Sequence, residues 1–320
     1  MTIIVTGGSG FIGTNLIDYY AKKNFKIFNL DIKPPQKKEH KEYWHQVDLS
    51  NYDVLCKLVT KIKPKYIIHL AAKTDLSGKE YKDYAVNIKS VENIIKICEE
   101  HSDIKRVIFA STMLVNKTGH NPQNLLSYDA NTLYGQSKVA GENLVLNSKN
   151  LSAELCIIRP TSIWGEWFGE PYKNFFDFVL SGKYFHPGNN SCKKTFGYVG
   201  NAVYQIDKLL FAEVGKIRNK IFYIGDKPPV NISIWADEIS TLAKVNKPKK
   251  VPLFVFSLLA SFGDLIYKFG FNFPMTSYRL KNMTTDQVYN LNETYEVCGD
   301  PPYNRKSGIQ KTLKWIFYNQ

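Results

Sequence analysis

Tyr134 and Lys138 stand four residues apart in Tyr134-Gly-Gln-Ser-Lys138. That spacing sets a phenol and an ammonium on one face of a helix. A free tyrosine titrates near ~10, so service as a base near neutrality needs a drop of roughly 3 units, about 4 kcal/mol. An adjacent cation favours the phenolate and works in that direction. Ser111-Thr112 places a hydroxyl just past the apolar run 106–110. Together these residues suit proton transfer at an alcohol or a ketone.

A partner for such chemistry is written at the start of the chain. Residues 6–13 read Thr-Gly-Gly-Ser-Gly-Phe-Ile-Gly, directly after Ile3-Ile4-Val5. Gly7 permits a tight strand-to-helix turn, Gly10 lets the backbone approach a diphosphate, and Gly13 lets the helix pack closely on the sheet. The helix start adds unpaired N–H groups and the positive end of a dipole. Asp31 follows the next apolar run, about 20 residues on, where a carboxylate accepts both ribose hydroxyls of a dinucleotide. An acid there repels a 2′-phosphate, which favours NAD; Lys33 relieves the repulsion and keeps NADP open. Asp48 reads either as an adenine contact or as the residue leading into a helix. The cation of a bound oxidised nicotinamide would add to Lys138 in favouring the Tyr134 phenolate.

Short apolar runs at 3–5, 26–30, 44–47, 66–70, 106–110 and 154–158 read as strands. They alternate with helical stretches near 12–23, 50–62, 82–100 and 134–148. Such alternation predicts a parallel sheet covered on both faces. Ser50-Asn-Tyr-Asp53 has the form of a capping box. The regularity fades after Arg159-Pro160, although 196–199 and 221–224 are expected to return to the sheet. The expected architecture is α/β, with a doubly wound Rossmann domain over 1–165 and about 195–235. A smaller C-terminal substrate lobe takes 166–194 and 236–320.

The 320 residues carry a net charge of +13. An anionic ligand, a membrane surface, or simply a lysine-rich background explains such a balance. No nucleic-acid-binding pattern supports that partner class. The five cysteines form no CxxC pair and the six histidines no ligand spacing, so neither a disulfide framework nor a metal is expected. His69 reads as structural. With a strand starting almost at Met1, no signal peptide is expected, and the cytoplasm is the expected compartment. The basic segment 244–250 abuts 251–263, which has no charged residue. That run is too short for a bilayer span of roughly 20 residues. It reads first as a buried helix, with a helix lying in a membrane surface as the alternative.

TGGSGFIG, His69-Leu-Ala-Ala72, Ser111-Thr112, YGQSK at 134–138 and Ile158-Arg-Pro160 together resemble the extended short-chain dehydrogenase/reductase family. The resemblance implies Tyr134 as general base, Lys138 as its activator and a ribose ligand, and Thr112 as a partner of the reacting oxygen. It makes Asn87 a backbone anchor and sets Phe11, Ile12, Leu70, Ala71 and Ala72 against NAD. It further implies NAD-dependent 4-epimerisation of a diphosphate-linked sugar for surface polysaccharide, by a homodimer. A polyprenyl-linked substrate would account for a basic cluster beside an apolar helix, at the inner face of a membrane.

Several departures from the family pattern bear on this. Met113-Leu114 replace the Asp-Glu pair of the dehydratase branch, so 4,6-dehydration is not expected. Ser162 stands where an asparagine is usual. Lys194 stands where an arginine is usual, and with Arg279 it is a candidate phosphate ligand. The rival readings are a ketoreductase that consumes NAD(P)H and, in another class, a non-catalytic dinucleotide-binding redox sensor.

Overall fold

The computed structural model describes all residues except 121, 189–191, 272, 274 and 319–320. Strands β1 (Thr2–Thr6), β2 (Lys26–Asp31), β3 (Trp44–Gln46), β4 (Tyr66–His69), β5 (Arg106–Ala110) and β6 (Glu154–Pro160) join Ile221–Ile224 in one sheet. Its order is β3-β2-β1-β4-β5-β6 followed by Ile221–Ile224. Every pairing is parallel. The order reverses between β1 and β4, and ligands of such sheets bind at the carboxyl ends beside that switch.

Helices α1 (Phe11–Lys22), α2 (Tyr52–Ile62), α3 (Ala85–Glu100) and α4 (Leu133–Asn147) connect these strands within one or two residues of expectation in most cases. The buried first strand shows why both faces need cover, since successive side chains point to opposite sides. Ile3 and Val5 pack with Leu16, Ile17 and Tyr20 of α1. Ile4 packs with Leu55 and Val59 of α2 and with Val91 and Ile94 of α3. The first layer is completed by Val203, Ile206 and Leu209 of a later helix, Val199–Leu210.

Three expectations change. Residues 196–199 do not rejoin the sheet: Phe196–Tyr198 pairs with β7 (Ser162–Trp164) in a separate two-stranded ribbon, and Val199 already begins a helix. The cap of α2 is Asn51, which accepts the Val54 N–H at 3.2 Å. Ser50 instead donates through its N–H and its hydroxyl to Asp48. The third change concerns the apolar run 251–263, which becomes the exposed helix described next.

The C-terminal lobe contains α5 (Tyr172–Leu180), the helix α6 (Val199–Leu210) shared with the sheet, α7 (Ile232–Ala243), α8 (Leu253–Lys268), α9 (Ser277–Thr284), α10 (Asn292–Cys298) and α11 (Arg305–Tyr318). Its core is aromatic: Trp164, Phe176, Phe196 and Trp235 meet with ring centroids 4.5–5.8 Å apart. Helix α8 is not the buried helix expected from its composition. Only Phe256, Ala260 and Gly263 of it are buried. One narrow face meets the lobe, and among the described residues no layer covers the rest. No described helix is long and apolar enough to cross a membrane.

Candidate active site

The glycine loop closes β1 onto α1 at the switch point. Gly7 has φ +69, and a β-carbon there would lie 2.6 Å from the Ala71 nitrogen. One at Gly13 would lie 2.3 Å from the Gly7 carbonyl oxygen. Only glycine allows this turn and this helix approach. Gly10 is the N-cap of α1, with no side-chain cap. The first-turn N–H groups beside Phe11 and Ile12 therefore keep donor capacity for an anion. Leu70 donates its N–H to the Thr6 carbonyl at 3.1 Å, and Ala71 donates to the Thr6 hydroxyl at 3.3 Å. That holds 70–72 along the loop. Asp31 accepts the Ser9 N–H at 3.1 Å and the Lys33 N–H at 2.9 Å. Its carboxylate thus sits at the loop's edge, as ribose binding requires. Asp48 is exposed past β3, where its carboxylate organises the turn into α2. This cradle, with an uncapped helix and no room for β-carbons, fits a dinucleotide diphosphate.

The residues expected to transfer protons meet at the end of β5. Tyr134, Lys138 and Thr112 are all buried. Thr132 starts α4 by accepting the Gly135 N–H at 3.0 Å, which sets Tyr134 in the first turn. Lys138 donates to the Ala110 carbonyl at the end of β5, at 2.7 Å. Thr112 follows that strand end and lies beside the Tyr134 phenol, where its hydroxyl favours the phenolate. Burial dominates the phenol and pushes it up to about 12, against the opposing pull of the Thr112 hydroxyl. Lys138 falls to about 8, also through burial, with Glu142 pulling it back upward. The lowering of Tyr134 expected from Lys138 is therefore not expressed in the protein alone. The ammonium is held by a backbone carbonyl.

Behind these groups is a frame. Asn87 accepts the Lys73 N–H at 2.7 Å and donates to the Lys73 carbonyl and to Ser137 at 3.0 Å. Ser137 in turn donates to the Tyr134 carbonyl at 2.7 Å. Asn87 thus ties the backbone at Lys73 to Ser137 of α4. His69 lies between Thr6 and Ser90, at 2.8 and 3.2 Å. Burial brings it down to about 3, so it stays neutral and structural.

Glu142, one turn beyond Lys138, did not stand out in the sequence. Ser111 donates to it, Tyr128 donates at 2.9 Å, and the fully buried Arg159 bonds both its oxygens at 2.8 and 2.6 Å. The signal was present as an acid eight residues after Tyr134 and an arginine ending β6. Nothing local said that the two would meet.

On the substrate side, buried Ser162 accepts the Tyr172 hydroxyl at 2.6 Å and faces the Met113 sulfur at 3.9 Å. Lys194 is buried, which lowers its pKa. Its ammonium has no hydrogen-bond partner among the described residues. Arg279 lies on the exposed helix α9. A cleft of about 790 Å³ lies elsewhere, lined by Trp164, Asp226, Tyr295, Tyr303 and Arg305. Its size does not compete with the chemistry assembled at Tyr134. Among the described residues one cluster, Cys56, Glu100 and His101, has metal-ligand proximity. It lies on the outer faces of α2 and α3 and contains none of the rim residues.

The chain is 25% identical, over 98% of its length and 95% of the relative's, to an N-acetyl-α-D-glucosaminyl-diphospho-ditrans,octacis-undecaprenol 4-epimerase of Escherichia coli O157:H7. It is 28% identical, over 73% of its length and 68% of the relative's, to a 3-beta-hydroxysteroid dehydrogenase of Mycolicibacterium neoaurum. Its fold matches the UDP-glucose 4-epimerase of Thermotoga maritima with a TM-score of 0.76, covering 100% and 99% of the two chains at 18% identity. Residues 3–225, which hold the cradle, Thr112, Tyr134 and Lys138, match one family throughout. The chain belongs to the NAD dependent epimerase/dehydratase family.

Proposed function

We propose that this protein is an NAD-dependent epimerase that inverts the 4-hydroxyl of a diphosphate-linked sugar. The carrier is a nucleotide or a lipid, and the setting is surface polysaccharide assembly on the cytoplasmic side of a membrane. One observation carries the reading. Thr112, Tyr134 and Lys138 converge at the rim of β5, while the turn Met113–Val115 offers no acid–base pair that would expel water. Similarity to the undecaprenol-linked sugar epimerase along nearly the whole chain supports the substrate class.

Held by the Gly7–Gly13 loop and Asp31, NAD would supply the hydride acceptor and, in the return step, the donor. Tyr134 takes the proton of the sugar 4-hydroxyl as the C–H bond breaks and the carbonyl forms. The Thr112 hydroxyl beside the phenol favours the phenolate needed for that step. Lys138, fixed on Ala110, holds positive charge beside the forming phenolate. In the return step, which would deliver hydride to the opposite face of the ketone, Tyr134 gives the proton back to the sugar oxygen. Lys194 offers its ammonium to the diphosphate as a point charge.

The similarity to a hydroxysteroid dehydrogenase favours a second reading, net oxidation or reduction of an apolar alcohol or ketone. Cofactor accounting separates the two. Incubation with UDP-glucose, UDP-N-acetylglucosamine and undecaprenyl-diphosphate-N-acetylglucosamine should yield a 4-epimer with no net change in the NADH band near roughly 340 nm. Stoichiometric NADH without an epimer would replace the epimerase reading with the dehydrogenase one.

A further inference from the structure

Helix α8 turns an apolar face outward. Phe256, Ala260 and Gly263 share its buried side, and at Gly263 the Met275 carbonyl leaves no space for a β-carbon. Phe254, Leu258, Phe262 and Leu265 repeat at helical spacing on the opposite side. They are 64%, 67%, 54% and 52% exposed. Phe269 and Phe271 extend the surface beyond the helix end, equally bare. Single exposed apolar residues are ordinary, whereas a contiguous patch of this kind marks an interaction surface.

Charge selects the partner. Between Glu238 and Asp286 the chain has six lysines and one arginine against a single acid, Asp264. That carboxylate is already engaged by the Ser277 N–H at 3.0 Å. Lys244, Lys247, Lys249 and Lys250 are all exposed at the entry to the helix. We infer that α8 docks in the surface of an anionic lipid bilayer, its Phe254–Leu258–Phe262–Leu265 stripe among the acyl chains and the lysines of 244–250 on lipid phosphates. The helix has 16 residues, so it lies in the interface and does not span. A second copy of the chain fits less well, because a two-fold contact along α8 would bring two basic flanks together.

The docked element shares a frame with the substrate side of the site. The strand Lys250–Val251 that leads into α8 pairs with His186–Pro187. Beyond α9, the Thr285 carbonyl accepts the Cys192 thiol at 3.1 Å and Asp286 accepts the Lys193 N–H at 2.8 Å, next to Lys194. Docking would present this edge to a sugar on a lipid carrier. That purpose rests on the epimerase reading; the docking does not.

The test is flotation of the full chain with vesicles of phosphatidylcholine, alone or mixed with phosphatidylglycerol. The protein should float with the mixed vesicles and several-fold less with the neutral ones, and high salt should release part of it. Replacing Phe254→Ser and Leu258→Ser together should cut the bound fraction at least about tenfold. Turnover of a soluble nucleotide sugar should be unchanged, which shows that the variant is folded. A Phe254→Trp variant should be quenched by brominated acyl chains. The proposal is overturned by wild-type protein that stays at the bottom of both gradients, or by a Ser variant that floats like wild type. It is equally overturned by a lipid-free dimer that the Ser pair dissociates, which would assign the face to a second copy. Flotation without epimerase activity on any sugar would overturn the proposed function and leave the docking standing.

Discussion

At the residue scale the central fact is the conflict within Tyr134. Burial protects the phenol from water and at the same time pushes its pKa up to about 12. Catalysis needs the opposite, so the positive charge of the oxidised cofactor must complete what Thr112 begins. Tyr134→Phe should therefore lower turnover by roughly 10³-fold or more while leaving NAD affinity nearly unchanged, as read by steady-state kinetics and isothermal titration. Thr112→Ala removes the neighbouring hydroxyl that favours phenolate and should move the acid limb of the pH–rate profile to higher pH. His69 gives a stability prediction at the same scale. Its pKa is about 3 when folded and 6.5 when free, so the unfolded chain binds more protons between those values. Stability from this group is complete above pH 6.5 and is lost as pH falls toward about 3. Melting temperatures of wild type and His69→Gln should converge over that window.

At the element scale, the catalytic helix is held from behind. Glu142 joins the end of β5 through Ser111 to the end of β6 through Arg159, with both charges out of contact with water. Breaking a buried pair from one side costs about 3–5 kcal/mol. Glu142→Gln should lower denaturant stability by an amount of that order. It should also lower the Lys138 pKa further, since Glu142 is the group pulling it upward. The elements themselves were legible because their signals are local. The glycine spacing, the alternation of apolar runs and Thr132 before α4 each depend on neighbours in the chain. The Glu142–Arg159 pair was not legible, because its partners are 17 residues apart and meet only once β6 is in the sheet. The strand at 196–198 looked like a sheet strand, but it pairs with β7, whose three residues carried no periodicity of their own.

At the scale of the whole molecule, composition left the surplus charge and the apolar run 251–263 ambiguous. An apolar helix reads as buried when only its sequence is seen, because the count of covering layers is a tertiary property. The fold shows the uncovered face and places the basic segment beside it. Under the proposed function the sheet's rim holds the cofactor cradle and the proton-transfer groups, Ser162 stands on the ribbon beside it, and Lys194 and the edge next to α8 belong to the C-terminal lobe. All of this rests on hydride leaving and returning within one active site. The most direct test is turnover of UDP-N-acetylglucosamine, or its undecaprenyl-diphosphate equivalent, deuterated at carbon 4. The account predicts a 4-epimer that keeps the deuterium at carbon 4, with no label in solvent and none after Tyr134→Phe. An epimer that has exchanged its label with water, or deuterium accumulating on released NADH, would contradict it.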